Sequence, residues 1–203
     1  DYSALRELSN ELLEKEAHIF PVSEALQYES YSPIAASKTI SWLGPKGFQG
    51  ETYYLGENPP FGAAFTYFLK EKYPTLESER KKTEGEKRKA GETVYYPSYE
   101  QLQAEKEEEK PFLIFTIKDV NGEVVNEIRS SPSDGINRVY WDLTYPAIDQ
   151  VNTSLADPMK NLSSGIMVLP GSYTVELAKS IDGEITPLTA AVPFEVKTLD
   201  NQS

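Results

Sequence analysis

The sequence predicts an all-β fold, an Ig-like antiparallel β-sandwich, and three observations carry that expectation. Ile136 to Pro146, read INRVYWDLTYP, and Leu169 to Leu177, read LPGSYTVEL, are rich in the aromatic and β-branched residues that suit a pleated, half-buried surface. The second stretch opens on a Pro-Gly turn, which reverses the chain. Tight-turn signals recur at Asn121-Gly122 and Asp182-Gly183 between apolar runs, and no βαβ alternation accompanies them. With 203 residues, 39% of them hydrophobic, the chain has material for one well-packed core plus appendages. We divide it into a helical and irregular connector over 1–50, the sandwich over 51–198 with a charged insertion at 71–110, and a tail over 199–203.

Residues 2–17 place Leu5, Leu8, Leu12 and Leu13 at helical spacing behind Ser3 as cap, which predicts a short amphipathic helix. From His18 to Gly50, Pro21, Pro33, Gly44, Pro45, Gly47 and Gly50 break the pattern into an extended connector that needs a neighbouring surface. GENPPFGA, Gly56 to Ala63, then leads into AFTYFLKEKY, Ala64 to Tyr73, the expected first core strand. Residues 71–110 carry eleven Glu and nine Lys or Arg among forty positions, so they bury too little to fix themselves and should form a solvated helical excursion or a partly disordered loop. PFLIFTIKDVNGEVVNEI, Pro111 to Ile128, reads as a hairpin about Asn121-Gly122, with positive φ supplied by both turn residues. Asn137 to Tyr145 is the next strand, followed by a polar loop to about Gly165. Ser172 to Ser180 and Leu188 to Thr198 form a closing pair across Asp182-Gly183, for six or seven strands in all.

A net charge of -12, with no basic stripe to offset it, argues against nucleic acid as a partner. No apolar run is long enough for a membrane-spanning helix, and no signal-peptide core lies near Asp1. A chain beginning at Asp1 without Met is expected to be a processed product or an excised piece, with any export signal upstream. The absence of cysteine removes disulfide and thiol chemistry without assigning a compartment.

No residue is assigned a catalytic, cofactor-binding or metal-binding role. His18 is the only histidine, and beside Ile19 and Phe20 it reads as a packed or surface residue. Asp119, Glu123, Asp142, Asp182 and Glu184 have the chemistry of a glycosidase acid and base. Four of them flank hairpin turns, where carboxylates bond local backbone, and Asp142 is expected to accept hydrogen bonds from a nearby turn. Asp119 to Glu123 lacks the spacing of a calcium loop and reads as a turn. Sequons stand at Asn152, Asn161 and Asn201. Tyr95, Tyr96 and Tyr99, or Tyr53 and Tyr54, would make a platform for sugar rings if exposed, whereas Trp141 and Tyr173 are expected core anchors.

GENPPFGAAFTYFL, FTIKDVNGEVVNEI, GINRVYWDLTYP and LPGSYTVEL, in that order, resemble the C-terminal region of bacterial exported proteins with a sortilin-like or neuraminidase-type repeat β-propeller, often labelled glycosyl-hydrolase-like. The later three also resemble the Ig-like domain of the flagellar hook capping protein type, and YSALRELSNELLEKEAHIFP is similar to the segment that leaves the propeller. The resemblance implies an upstream propeller as partner, an extracellular, periplasmic or cell-surface location, and a noncatalytic accessory role, with polysaccharide binding or adhesion as alternatives. The chain itself contains no propeller repeats, so the resemblance transfers no catalytic residue.

Overall fold

The computed structural model describes residues 6–28, 61–147 and 164–199. Within them the chain is all-β in its core, with two sheets packed face to face and two helices carried outside.

The chain enters through α1 (Asn10–Leu13), capped by Ser9, whose hydroxyl accepts the Leu12 N–H. This single turn replaces the helix expected over 2–17; Ser3 and Leu5 lie outside the described residues. Leu8 and Leu13 remain exposed, so the leucine stripe buries little, and only Leu12 packs, against Phe20 and Phe68. Immediately afterwards the chain is extended: β1 (Ala17–Ile19) pairs with β3 (Ala63–Leu69), and β2 (Ala25–Gln27) pairs with β11 (Val192–Thr198). The first part of the expected connector therefore belongs to the sandwich, because its backbone groups complete the ladders of two core strands. The rest of it, including Gly44 to Gly50, lies outside the described residues.

β3 is buried on both faces. Its far edge pairs with β6 (Gly135–Trp141), giving a first sheet in the order β1-β3-β6. The second sheet runs β2-β11-β9-β4-β5, where β4 is Phe112–Lys118, β5 Val124–Ser130 and β9 Gly171–Ile181. All of these pairings are antiparallel except β2 with β11, which is parallel and departs from the wholly antiparallel expectation. Alternate residues point inward, as a period of two requires. Phe65 and Tyr67 from the first sheet meet Phe115 from the second at ring separations of 6.3 and 5.1 Å.

The turns follow local chemistry. Between β4 and β5 only Gly122 has positive φ, at 82°. Asn121 does not, because the loop spans Asp119 to Glu123 and needs one left-handed residue before the strands resume. Across Asp182-Gly183 both residues are left-handed, at 52° and 78°, as a two-residue hairpin demands. That hairpin joins β9 to β10 (Glu184–Pro187) rather than to the final strand. β9 is long enough to share one edge between β10, along Ala178 to Ile181, and β11, along Gly171 to Val175. Eleven strands, not six or seven, are present among the described residues.

The strand expected over 137–145 breaks after Trp141. Leu143, fully buried, adopts φ 59°, which turns the chain into β7 (Thr144–Pro146), paired with β8 (Ser164–Met167). Hydrogen bonds that are buried or partly buried fix the kink. Thr144 O accepts from Trp141 Nε1 at 3.1 Å and from Asn126 Nδ2 at 2.9 Å, Leu143 O accepts the Val168 N–H, and Val168 O accepts Gln27 Nε2 at 2.8 Å. Trp141 and Tyr173 are buried against one another with rings 5.7 Å apart, and Tyr173 OH donates to Leu169 O four residues upstream at 2.6 Å. Both are core anchors.

Candidate functional site

The insertion at 71–110 is a helical arm. α2 (Leu76–Lys89) starts at Thr75, where the Thr75 and Ser78 side chains cap one another's backbone N–H groups, and α3 (Tyr99–Glu107) starts at Ser98 with the same reciprocal arrangement to Gln101. Glu77–Lys81 and Arg80–Glu84 pairs at i,i+4 support α2. Neither helix has a buried residue. The arm therefore lacks an apolar core and is joined by charge: the Arg80 guanidinium donates to both Glu105 carboxylate oxygens, at 2.5 and 3.0 Å, and to Glu84 Oε1 at 2.6 Å. Hydrogen bonds to Glu105 and then Glu84 raise the guanidinium pKa, and the bond from Arg80 holds the Glu105 carboxyl below its ordinary range. The Glu108 carboxylate accepts the Leu76 N–H and ties the two ends of the arm together.

An open groove of about 480 Å³ runs between the helices. Its α2 wall takes Leu76, Arg80, Thr83, Glu84 and Lys87, one face of the helix, and its α3 wall takes Gln101, Ala104 and Glu105. The linking segment adds Val94, Tyr95, Tyr96 and Pro97. Tyr95, Tyr96 and Tyr99 are 83, 87 and 80% exposed, three large rings on a surface that is mostly charged. Tyr96 precedes Pro97, which disfavours the helical region for Tyr96, and neither ring belongs to α2 or α3. Tyr53 and Tyr54, and the three sequons, lie outside the described residues.

The five carboxylates do not meet at one site. β4 and β9 pair from Phe112 with Ser180 to Lys118 with Thr174, so the Asp119–Glu123 turn and the Asp182–Glu184 hairpin stand at opposite ends of the sandwich. Seven strand residues span roughly 20 Å, about twice the widest separation of a glycosidase pair. Asp119 is occupied by its own turn: Oδ1 accepts the N–H groups of Asn121 at 2.8 Å and Glu123 at 2.9 Å. Desolvation opposes ionisation of Asp119, and these backbone donors outweigh it, holding the carboxyl below its ordinary value. Asp142 Oδ1 accepts from Thr144 Oγ1 at 2.8 Å, beside the kink. Among the described residues no group of three or more His, Asp or Glu side chains is arranged to hold a metal ion.

His18 lies on β1 opposite Phe68, with its ring edge-on to Phe20 at 5.2 Å. Burial, with the Lys15 charge adding to it, holds the imidazole below its ordinary pKa, and Nε2 has no hydrogen-bond partner among the described residues. It is a packed residue under α1.

Two arrangements escape a reading of the sequence. Lys87 and Gln101 line the same groove as Tyr95 and Tyr96, and the only prior signal is the run RKKTEGEKRK, Arg80 to Lys89, standing just before VYYPSY. Lys179, Glu16 and Tyr73 meet at one edge of the sandwich with nothing in their separate surroundings to announce it. Comparison with family models, with curated proteins and with solved structures finds no match to this chain.

Proposed function

We propose that the chain is a noncatalytic, Ig-like accessory domain of a larger exported protein, stabilising or orienting an upstream β-propeller. One observation carries the noncatalytic reading: the side chains with catalytic chemistry are separated by the length of β4 and β9 or committed to their own turns. The strand order supports the Ig-like assignment. β3 and β6 face β11-β9-β4-β5 as the B and E strands of that fold face G, F and C, and Tyr173 bonds back to Leu169 as a tyrosine-corner residue does. Fold alone does not assign activity, so the accessory role stands on the placement of the side chains. The propeller as partner, and an extracellular, periplasmic or cell-surface location, rest on the resemblance of GENPPFGAAFTYFL, FTIKDVNGEVVNEI, GINRVYWDLTYP and LPGSYTVEL. Removing these 203 residues from the parent protein should lower the melting temperature or secreted yield of the remainder. Unchanged melting and secretion would count against the role.

A second reading, a polysaccharide-binding module of the same parent, is favoured by Tyr95, Tyr96 and Tyr99, which stand exposed instead of packed. Retention of the chain in gels containing polysaccharide tests it.

A further inference from the structure

A site that holds a sugar needs a flat apolar surface for the C–H face of the ring and polar groups at its margin for the hydroxyls. The arm groove supplies both. Tyr95 and Tyr96 line it beside Pro97, and Gln101, whose Oε1 accepts the Ser98 N–H at 3.1 Å, keeps its amide N–H groups available as donors. Its volume, about 480 Å³, suits one or two sugar rings.

The charges of the groove narrow the ligand further. Arg80 is taken by Glu105 and Glu84, whereas Lys87, about two turns further along the same face of α2, is exposed and makes no ion pair among the described residues. A single unpaired ammonium beside two exposed rings matches a ligand with one carboxylate per ring. It does not match a dense polyphosphate, whose more closely spaced charges a single ammonium would leave unpaired beside Glu84 and Glu105.

We infer that the groove between α2 and α3 binds a uronate-bearing glycan, stacking a sugar ring on Tyr95 and Tyr96 and pairing its carboxylate with Lys87. The inference rests on the polysaccharide-binding reading and names its site and ligand class. Pro97 restricts the backbone of Tyr96, which lowers the backbone freedom that Tyr96 loses on binding.

Affinity electrophoresis of the full chain in gels containing polygalacturonate, alginate, neutral xylan, pullulan or poly-dT tests it. Retention by polygalacturonate or alginate is expected, weakening as salt rises. Tyr95→Ala with Tyr96→Ala should reduce affinity about tenfold, the scale of lost aromatic contacts. Lys87→Gln should remove the preference for acidic over neutral glycans, and both variants should melt with the parent chain because the replaced side chains are exposed. Retention by neutral glycans alone overturns the uronate inference and leaves glycan binding standing. Retention by no glycan overturns both. Equal retention in poly-dT, or acidic-glycan retention unchanged in both variants, overturns the site.

Discussion

The Lys179 ammonium lies 2.6 Å from Glu16 Oε1, joining β9 of the second sheet to the residue that leads into β1 of the first. Tyr73 OH donates to the same carboxylate oxygen at 3.0 Å, and the ammonium stands 5.1 Å from the Tyr73 ring centroid. Three side chains thereby clasp the edge of the sandwich from which the arm departs.

The clasp makes a signed pH prediction. The hydrogen bond from Lys179, with Tyr73 and the Lys179 charge adding, holds the Glu16 carboxyl below its ordinary pKa against the opposing effect of burial. A depressed carboxyl stabilises above its unfolded pKa, near 4.5, and that contribution disappears as pH falls through the folded value. Burial, and then the bond to Glu16, raise the Tyr73 phenol, so its contribution is full below pH 10 and is lost as pH climbs further. Because Glu16 is half-exposed, Glu16→Gln should cost only about 0.5–1 kcal/mol at pH 7. Urea melts at pH 7 and pH 3 should show that difference shrinking at the lower pH.

Gly62 has φ 109°, and a Cβ there would meet Trp141 O at 1.9 Å. Gly62→Ala should therefore destabilise by more than the roughly 1 kcal/mol of an ordinary glycine replacement at positive φ, since the obstacle is ladder backbone rather than a side-chain tip. Thermal melting compared with Gly91→Ala, where open space surrounds the site, isolates the collision from the dihedral strain.

Trp141→Ala should cost about 3–5 kcal/mol, because the ring is buried against Tyr173 and Phe194 and its Nε1 fixes the kink at Thr144. Tyr173→Phe removes only the bond to Leu169 O and should cost about 1 kcal/mol. Equilibrium denaturation of both variants checks the ratio.

The arm should be separable from the sandwich. Arg80→Gln breaks the bidentate contact with Glu105 and should speed amide exchange in α2 and α3 while leaving β4 and β9 unchanged. Replacing residues 75–109 by a short Gly-Ser linker should move the melting temperature by less than about 4 °C, the equivalent of 1 kcal/mol in a domain this size. A larger loss would show that the helices support the core.

The Asn-Gly and Asp-Gly turns and the charged arm were legible in residue chemistry because each rests on interactions within a few positions, and the burial of Trp141 and Tyr173 because large aromatic rings in apolar strands leave water wherever their partners lie. The turn residues owe their conformations to local sterics, and the apolar strands are too rich in aromatics to stay in water. The arm was legible as solvated helix for the converse reason, having nothing apolar to bury.

Long-range pairing decided the rest. Whether Ala17 to Ile19 extends a helix or enters a sheet depends on the free edge of β3, which lies more than forty residues away in the chain. The division of β9 between β10 and β11, the kink at Leu143 and the opposite placement of Asp119 and Asp182 are likewise properties of register, invisible until the strands are paired. Residue chemistry alone marked the long apolar strands, the Gly-containing turns and the solvated helical arm, but not the short strands β1 and β2 or the break after Trp141. Which distant side chains meet, as Lys179 meets Glu16, and which line one groove, as Lys87, Tyr95 and Tyr96 do, was settled by the folded arrangement, because backbone hydrogen bonding and burial must be satisfied across the whole fold at once.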